Sequence, residues 1–241
     1  MLEDIRELLC PSGTLRVGIN LSNFLLVSGG VVDGTPVGVA PDMAASIAQK
    51  LDVDITYHCY ERPHLLANDA GNDVWDIGLI GAEKQRAESI SFTSAYSEIE
   101  STYLVPANSP LKSIADVDQP GVKIAVAEKT AYGLWLDLHI KQAELVYASS
   151  LDASRDLFLQ NKLDALAGLR PKLIADQAII EDSQIIPGYF STVQQAIGTP
   201  ISKARATDFL QQFVDDAISG GLVAALIEKH QVIGLSVASR S

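Results

Sequence analysis

Arg86 carries the clearest chemical signal in this chain of 241 residues. A guanidinium is planar and offers paired donors that match a carboxylate two bonds at a time, which a lysine ammonium cannot do. Arg86 follows the end of a predicted strand, Ile77 to Ile80, on a loop that begins with Gly81, Ala82 and Glu83. Its competing role is a surface pair with Glu83 or Glu88 inside one helical turn, which contributes little. Thr130 comes next. It precedes a predicted helix that starts at Ala131, where exposed backbone N–H groups and the positive end of the helix dipole favour an anion. A plain capping role for Thr130 is compatible with that. Lys129 beside it either adds positive charge or points into solvent. Phe24, with Asn20 and Asn23, lies in the loop after the first strand, placed to wall a ligand or to join the core. For Tyr132 and Trp135, core packing is the expectation.

Catalytic patterns are sparse. His58, His64, His139 and His230 are widely spaced, without an HExxH pair or a triad-like setting. Gly29-Gly30 and Gly220-Gly221 read as turns rather than phosphate loops. No motif asks for a metal or other cofactor, and none is expected. The chain has 30 acidic and 18 basic residues, a net charge of −12, which argues against nucleic acid and anionic membrane surfaces as partners. Small anions stay open, because a few donors in a cleft can override the overall field. Hydrophobic residues make up 47% of the chain, enough for a core and too many for disorder.

No apolar run is long enough to span a bilayer. The start, Met1 to Cys10, reads as a short amphipathic helix without the basic start and apolar core of a signal peptide. The expectation is a soluble chain, either intracellular or exported with its signal already removed. Cys10 and Cys59 fit no zinc or redox spacing, and two buried thiols are expected rather than a bridge.

Strand and helix patterns alternate along the chain, the signature of an α/β protein with mostly parallel sheets and helices on both faces. Strands are expected at 15–20, 54–60 and 77–80, with a hairpin or loop at 27–38. Helices are expected at 43–51 and about 62–68. A second unit repeats the alternation, with a short helix at 111–117 and strands at 122–127, 144–147 and 165–167. Its helices are expected at 131–140 and 151–159, with another begun by Pro171. Extended segments at 101–106 and 192–198 flank this unit. Two helices at 203–219 and 222–230 close the chain and are expected to pack back on the first unit.

The order of short motifs resembles bacterial extracellular solute-binding protein family 3, the amino-acid-type binding proteins of ABC transporters. Leu15-Arg16-Val17-Gly18, then Asn23-Phe24, then Gly38-Val39-Ala40-Pro41-Asp42-Met43 resemble that family's opening strand, loop aromatic and helix start. Arg86, Ile90-Ser91-Phe92-Thr93 and Tyr96 are similar to its arginine passage. Val122 to Ala131 and Asn161-Lys162-Leu163-Asp164-Ala165 are similar to its later strand, turn and Asp-Ala motif. The resemblance runs from Thr14 to about His230.

It implies a two-lobe type 2 periplasmic-binding-protein fold whose lobes close on a ligand in the cleft between them. Lobe one would hold residues 1–102 and 195–241, lobe two residues 103–194. The family's arginine for the ligand carboxylate corresponds to Arg86, its helix-start donors to Thr130 and Ala131, and its aromatic wall to Phe24. The implied role is a non-enzymatic, monomeric, periplasmic protein that captures a small carboxylate for an ABC transporter permease.

Three positions depart from the family pattern. Glu83 stands where a threonine is frequent, and Lys129 where glycine is frequent. Leu169 stands where an aspartate holds the ligand's ammonium group, with Arg170 beside it. Either Glu83 supplies the missing counter-charge, or the ligand is an anion without an amine and Arg170 is a second anchor. Rival readings on the same scaffold are a dehydratase acting on cyclic carboxylates, with Glu83 or Glu128 as its acid, and a cytoplasmic ligand sensor.

Overall fold

The computed structural model describes residues 2–239. Contacts gather the chain into two units. The first takes the residues up to Glu98 and those from Gln194 onward, and the second takes Ile99–Val193. The chain therefore leaves the first unit within one strand and re-enters it within another.

The first unit opens with helix α1 (Leu2–Leu9) and strand β1 (Thr14–Asn20). A small antiparallel pair follows, β2 (Gly30–Val32) and β3 (Thr35–Val37), turning at Asp33-Gly34. Then come α2 (Val39–Leu51), β4 (Asp54–Tyr60), α3 (Pro63–Asn68), β5 (Ile77–Gly81) and the first part of β6 (Ile90–Pro106). The second unit holds the rest of β6, then β7 (Lys123–Ala127), α4 (Ala131–His139), β8 (Glu144–Ala148) and α5 (Leu151–Gln160). After these come β9 (Ala165–Leu169), α6 (Arg170–Gln177), β10 (Ser183–Ile185) and the start of β11 (Ser191–Pro200). Back in the first unit lie the rest of β11, α7 (Thr207–Ser219), α8 (Leu222–Lys229) and β12 (Ser236–Val237).

In the first unit β4, β1 and β5 are parallel, and β11 adds antiparallel to β5. Every residue of β5 is buried, as a parallel strand covered on both faces requires. On β1, Leu15, Val17 and Ile19 point into the core. Helix α3 lies close over these strands because Gly18 and Gly78 carry no side chain; a Cβ there would meet Leu66 at 3.2 and 3.0 Å. The Trp75 indole N–H closes this contact by donating to Leu66 O at 3.1 Å. Helix α2 buries Met43, Ile47 and Leu51, three positions on one face. Asp42, in its first turn, accepts from Lys229 Nζ at 2.7 Å and pairs with His230 Nε2 at 2.8 Å, which ties α8 to α2.

A buried ion network fixes the amino-terminal edge of this sheet. Asp76 is fully buried just before β5 and accepts from the Arg16 side chain at 2.7 and 3.0 Å and from the Arg16 backbone N–H at 2.8 Å. Lys203 Nζ donates to the same carboxylate, and Thr199 Oγ1 donates to Asp76 O at 2.9 Å. One carboxylate thus joins β1, β5 and the segment that follows β11.

In the second unit β8, β7 and β9 are parallel, and both β9 and β10 pair antiparallel with β6. Tyr103, Val105, Ile124, Val126, Leu136 and Ala165 form much of its core. Phe190 packs at a tilt against Tyr103 and Trp135, with ring centroids 4.6 and 5.3 Å apart.

Several expectations need correction. The helix expected at 111–117 is a single 3-10 turn, Ile114–Asp116, because the Asp116 carboxylate folds back to accept the N–H groups of Lys112 and Ser113. The helix expected from Lys203 starts at Thr207. A 3-10 segment, Ile201–Ala206, precedes it, with Lys203 out of helical geometry while it reaches Asp76. Helix α2 begins at Val39, four residues before the expected start, since Pro41 is tolerated in a first turn. Strands β10 and β12 have no sequence signal of their own. Both cysteines are free, but Cys59 is exposed rather than buried, on the outer strand β4. Among the described residues, no helix is long and apolar enough to cross a membrane.

Candidate functional site

Strands β1 and β5 run side by side with Ile19 opposite Leu79, so Asn20 and Gly81 leave the sheet at the same carboxyl edge. Ligands of α/β proteins gather at such edges. The loop after Gly81 is tightly wound. Glu83 N–H donates to Gly81 O at 3.1 Å, and the N–H groups of Arg86 and Ala87 donate to Glu83 O at 2.9 and 3.0 Å. Ala82 N–H donates to Gln194 O at 2.8 Å, which clamps the loop to β11.

Arg86 turns back over this loop and donates Nη1–H to Gly81 O at 2.8 Å. Its side chain is not a surface group, since Arg86 is only 5% exposed. Burial pulls the guanidinium pKa down to about 10, and the nearby Glu83 carboxylate opposes that shift. Burial also pushes the Glu83 carboxyl above its ordinary value, with Arg86 pulling it back. In both cases desolvation outweighs the mutual attraction, so each ion is held away from water at a cost.

The other candidates of this unit serve the loop after β1. Asn20 Oδ1 accepts from Ser22 Oγ at 2.7 Å and from Ser22 N–H at 3.2 Å, an Asx turn that starts the loop. Asn23 O accepts from Leu26 and Val27 N–H at 3.0 and 2.9 Å. These turns leave Phe24 37% exposed, so it is not core. The loop returns to α2 at Gly38, where a Cβ would sit 2.3 Å from Leu26 O. A larger residue there would force the Phe24 loop away from α2.

The second unit collects its candidates at the carboxyl edge of β7 and β9, which are parallel with Ala125 opposite Leu166. Thr130 is the N-cap of α4: its Oγ1 accepts from Gly133 N–H at 3.1 Å and donates to Ala127 O at 2.8 Å. The capping role is therefore real, and it leaves the N–H groups of Ala131 and Tyr132 in the first turn, where helices have no acceptor of their own. Lys129 is exposed and left-handed, at φ +57°, a conformation that costs a residue with a Cβ and suits glycine. Leu169 ends β9, half-buried. Arg170 donates to Glu100 Oε2 and to Gly188 O, both at 2.5 Å. Glu100 carries no sequence signal for that role, because only the antiparallel pairing of β6 with β9 brings it beside Arg170. Glu128 is exposed. Among the described residues, no group of histidine, cysteine or acidic side chains could hold a metal ion.

A family model for bacterial extracellular solute-binding proteins, family 3, matches residues 15–232. The chain belongs to this family. No curated protein sequence matches this solute-binding protein. Solved structures do. A mutant of ArgBP from T. maritima is 21% identical with a TM-score of 0.69, the match covering 96% of this chain and 99% of that one. A putative ABC transporter binding component from Wolinella succinogenes, complexed with lysine, is 17% identical at TM-score 0.73 over 90% and 95% of the two chains. An ancestral amino-acid-binding protein, described as a precursor of cyclohexadienyl dehydratase, is 16% identical at TM-score 0.68 over 95% and 97%. These likenesses show the type 2 periplasmic-binding-protein fold.

Proposed function

We propose that this solute-binding protein captures a small carboxylate, an amino acid, a derivative or a related organic acid, with Arg86 as the principal anchor. It then presents that ligand to the permease of an ABC-type uptake transporter, as a monomer in the periplasm. The observation that carries the reading is the burial of the Arg86 guanidinium at the carboxyl edge of β1 and β5. A cation withdrawn from water gains most from an anion that meets its paired donors. The Wolinella succinogenes protein solved with lysine holds a ligand that carries a carboxylate, which supports the same choice. The first turn of α4 is suited to an anion as well. Phe24, exposed on its loop, suits the ligand body.

A thermal-shift screen over amino acids, keto acids, aromatic acids and small dicarboxylates tests the reading. A true ligand at 100 times its dissociation constant should stabilise the native state by about 2.7 kcal/mol and raise the melting temperature by about 5–10 °C. A screen in which none of these carboxylates shifts the transition removes it.

The state of Glu83 favours one second reading. A carboxyl raised by burial beside an arginine is the arrangement a general acid needs, so a dehydratase acting on a cyclic hydroxycarboxylate is the alternative. Turnover of such a substrate to an ultraviolet-absorbing aromatic product, lost in Glu83→Gln, would establish it. Binding without turnover would end it.

A further inference from the structure

In the second unit, taken by itself, two candidate positions offer little to a ligand's charge. Leu169 offers nothing to an ammonium group, and Arg170 is already held by Glu100 and Gly188 O. Arg170 is therefore a poor second anchor for an anion, and Leu169 a poor seat for an amine. In the first unit, the acidic side chain that shares the proposed anchor's turn and is withdrawn from water is Glu83. It shares one turn with Arg86, closed by the bonds from the N–H groups of Arg86 and Ala87 to its own carbonyl, and it is largely withdrawn from water. The positive charge of Arg86 opposes the rise that burial causes in the Glu83 carboxyl. Lys84 and Glu88 of the same loop are exposed, and β11, packed against the turn, brings the uncharged Gln194 and Gln195.

We infer that Glu83 determines which ligand charge the Arg86 site accepts, taking up a proton when an anion without an amine binds and staying ionised for a ligand that brings an ammonium group. This rests on the carboxylate reading above. The physical reason is short-range. An anion on Arg86 shares one tightly wound turn with Glu83, three residues away and largely withdrawn from water, where two like charges repel. The repulsion is relieved either by a proton on Glu83 or by a cation on the ligand. The Glu83 carboxyl, already raised by burial, is poised for the first. For an anion lacking an amine, binding and protonation are then linked, each favouring the other by the same factor.

Trifluoroacetate, a carboxylate that stays ionised over the range used, serves as the probe, followed by fluorine NMR from about pH 5 to pH 8. The wild-type protein should bind it more weakly as pH rises, approaching a tenfold loss per pH unit above the Glu83 pKa. Glu83→Gln should bind it with no such slope, and more tightly than wild type at neutral pH. Arg86→Ala should not bind it. Wild-type binding that is flat with pH and lost in Arg86→Ala overturns the inference while the carboxylate reading stands. A slope that persists unchanged in Glu83→Gln does the same. Binding retained by Arg86→Ala, or absent from every variant, overturns the carboxylate reading and the inference with it. The wild-type slope alone decides if Glu83→Gln does not fold.

Discussion

Arg86→Ala should weaken binding of any carboxylate ligand by about 30- to 5000-fold, the loss expected when one partner of a desolvated, charge-assisted pair is removed. The melting temperature of the unliganded protein should stay within about 2 °C of wild type. The two halves of this result have separate causes. In the complex, the guanidinium supplies the paired donors and the positive charge, and alanine supplies neither. In the unliganded protein, burial penalises that cation strongly enough to pull its pKa to about 10, so its removal relieves a cost as well as deleting the bond to Gly81 O. Arg86→Lys should also lose most of the affinity, since one ammonium cannot reproduce the fork. Titration calorimetry with a ligand from the thermal screen checks both variants. Unaltered affinity in Arg86→Ala would remove the anchor from the account.

Asp76→Ala should have the opposite profile, a large loss of stability with ligand affinity retained. Removing this carboxylate leaves Arg16 and Lys203, both only partly exposed, with the solvent-facing Asp73 as their remaining carboxylate, and breaking a buried pair from one side costs about 3–5 kcal/mol. For a protein of this size the melting temperature should fall by roughly 6–20 °C. Affinity survives because Asp76 precedes β5 while Arg86 follows it, so the network and the anchor lie at opposite ends of one strand. The test is a pair of thermal melts with calorimetry on the folded variant. A drop below about 1 °C would mean that Asp73 and water serve both cations as well as Asp76 does, and that the buried carboxylate does not hold this edge together.

Much of the fold was legible because its elements are self-contained patterns. The apolar run before Gly81, the spacing of Met43, Ile47 and Leu51, and Thr130 before Ala131 each announce a strand, a helix face or a cap. Helix ends were less legible. Whether Lys203 is helical depends on Asp76, more than a hundred residues away in sequence, and whether 111–117 makes a helix depends on where the Asp116 side chain turns. Local propensity is nearly balanced at such points, so one side-chain contact decides. The short strands β10 and β12 exist only because β6 presents an edge for them to pair with.

The candidate site divides in the same way. Residue type alone marked Arg86 as an anion's partner and Leu169 as a position without charge, because a guanidinium fork and a bare hydrocarbon keep those properties in any setting. Sequence could not tell whether Arg86 faced water, whether Arg170 was available, or whether Glu83 was withdrawn from solvent. Those are properties of neighbours: the Gly81 carbonyl that accepts from Arg86, Glu100 delivered to Arg170 by strand pairing, and the burial of the turn that holds Glu83. A side chain's chemistry is covalent and travels with the sequence. Its charge state and its partners depend on how much water the fold leaves around it, and that is set only when distant segments pack.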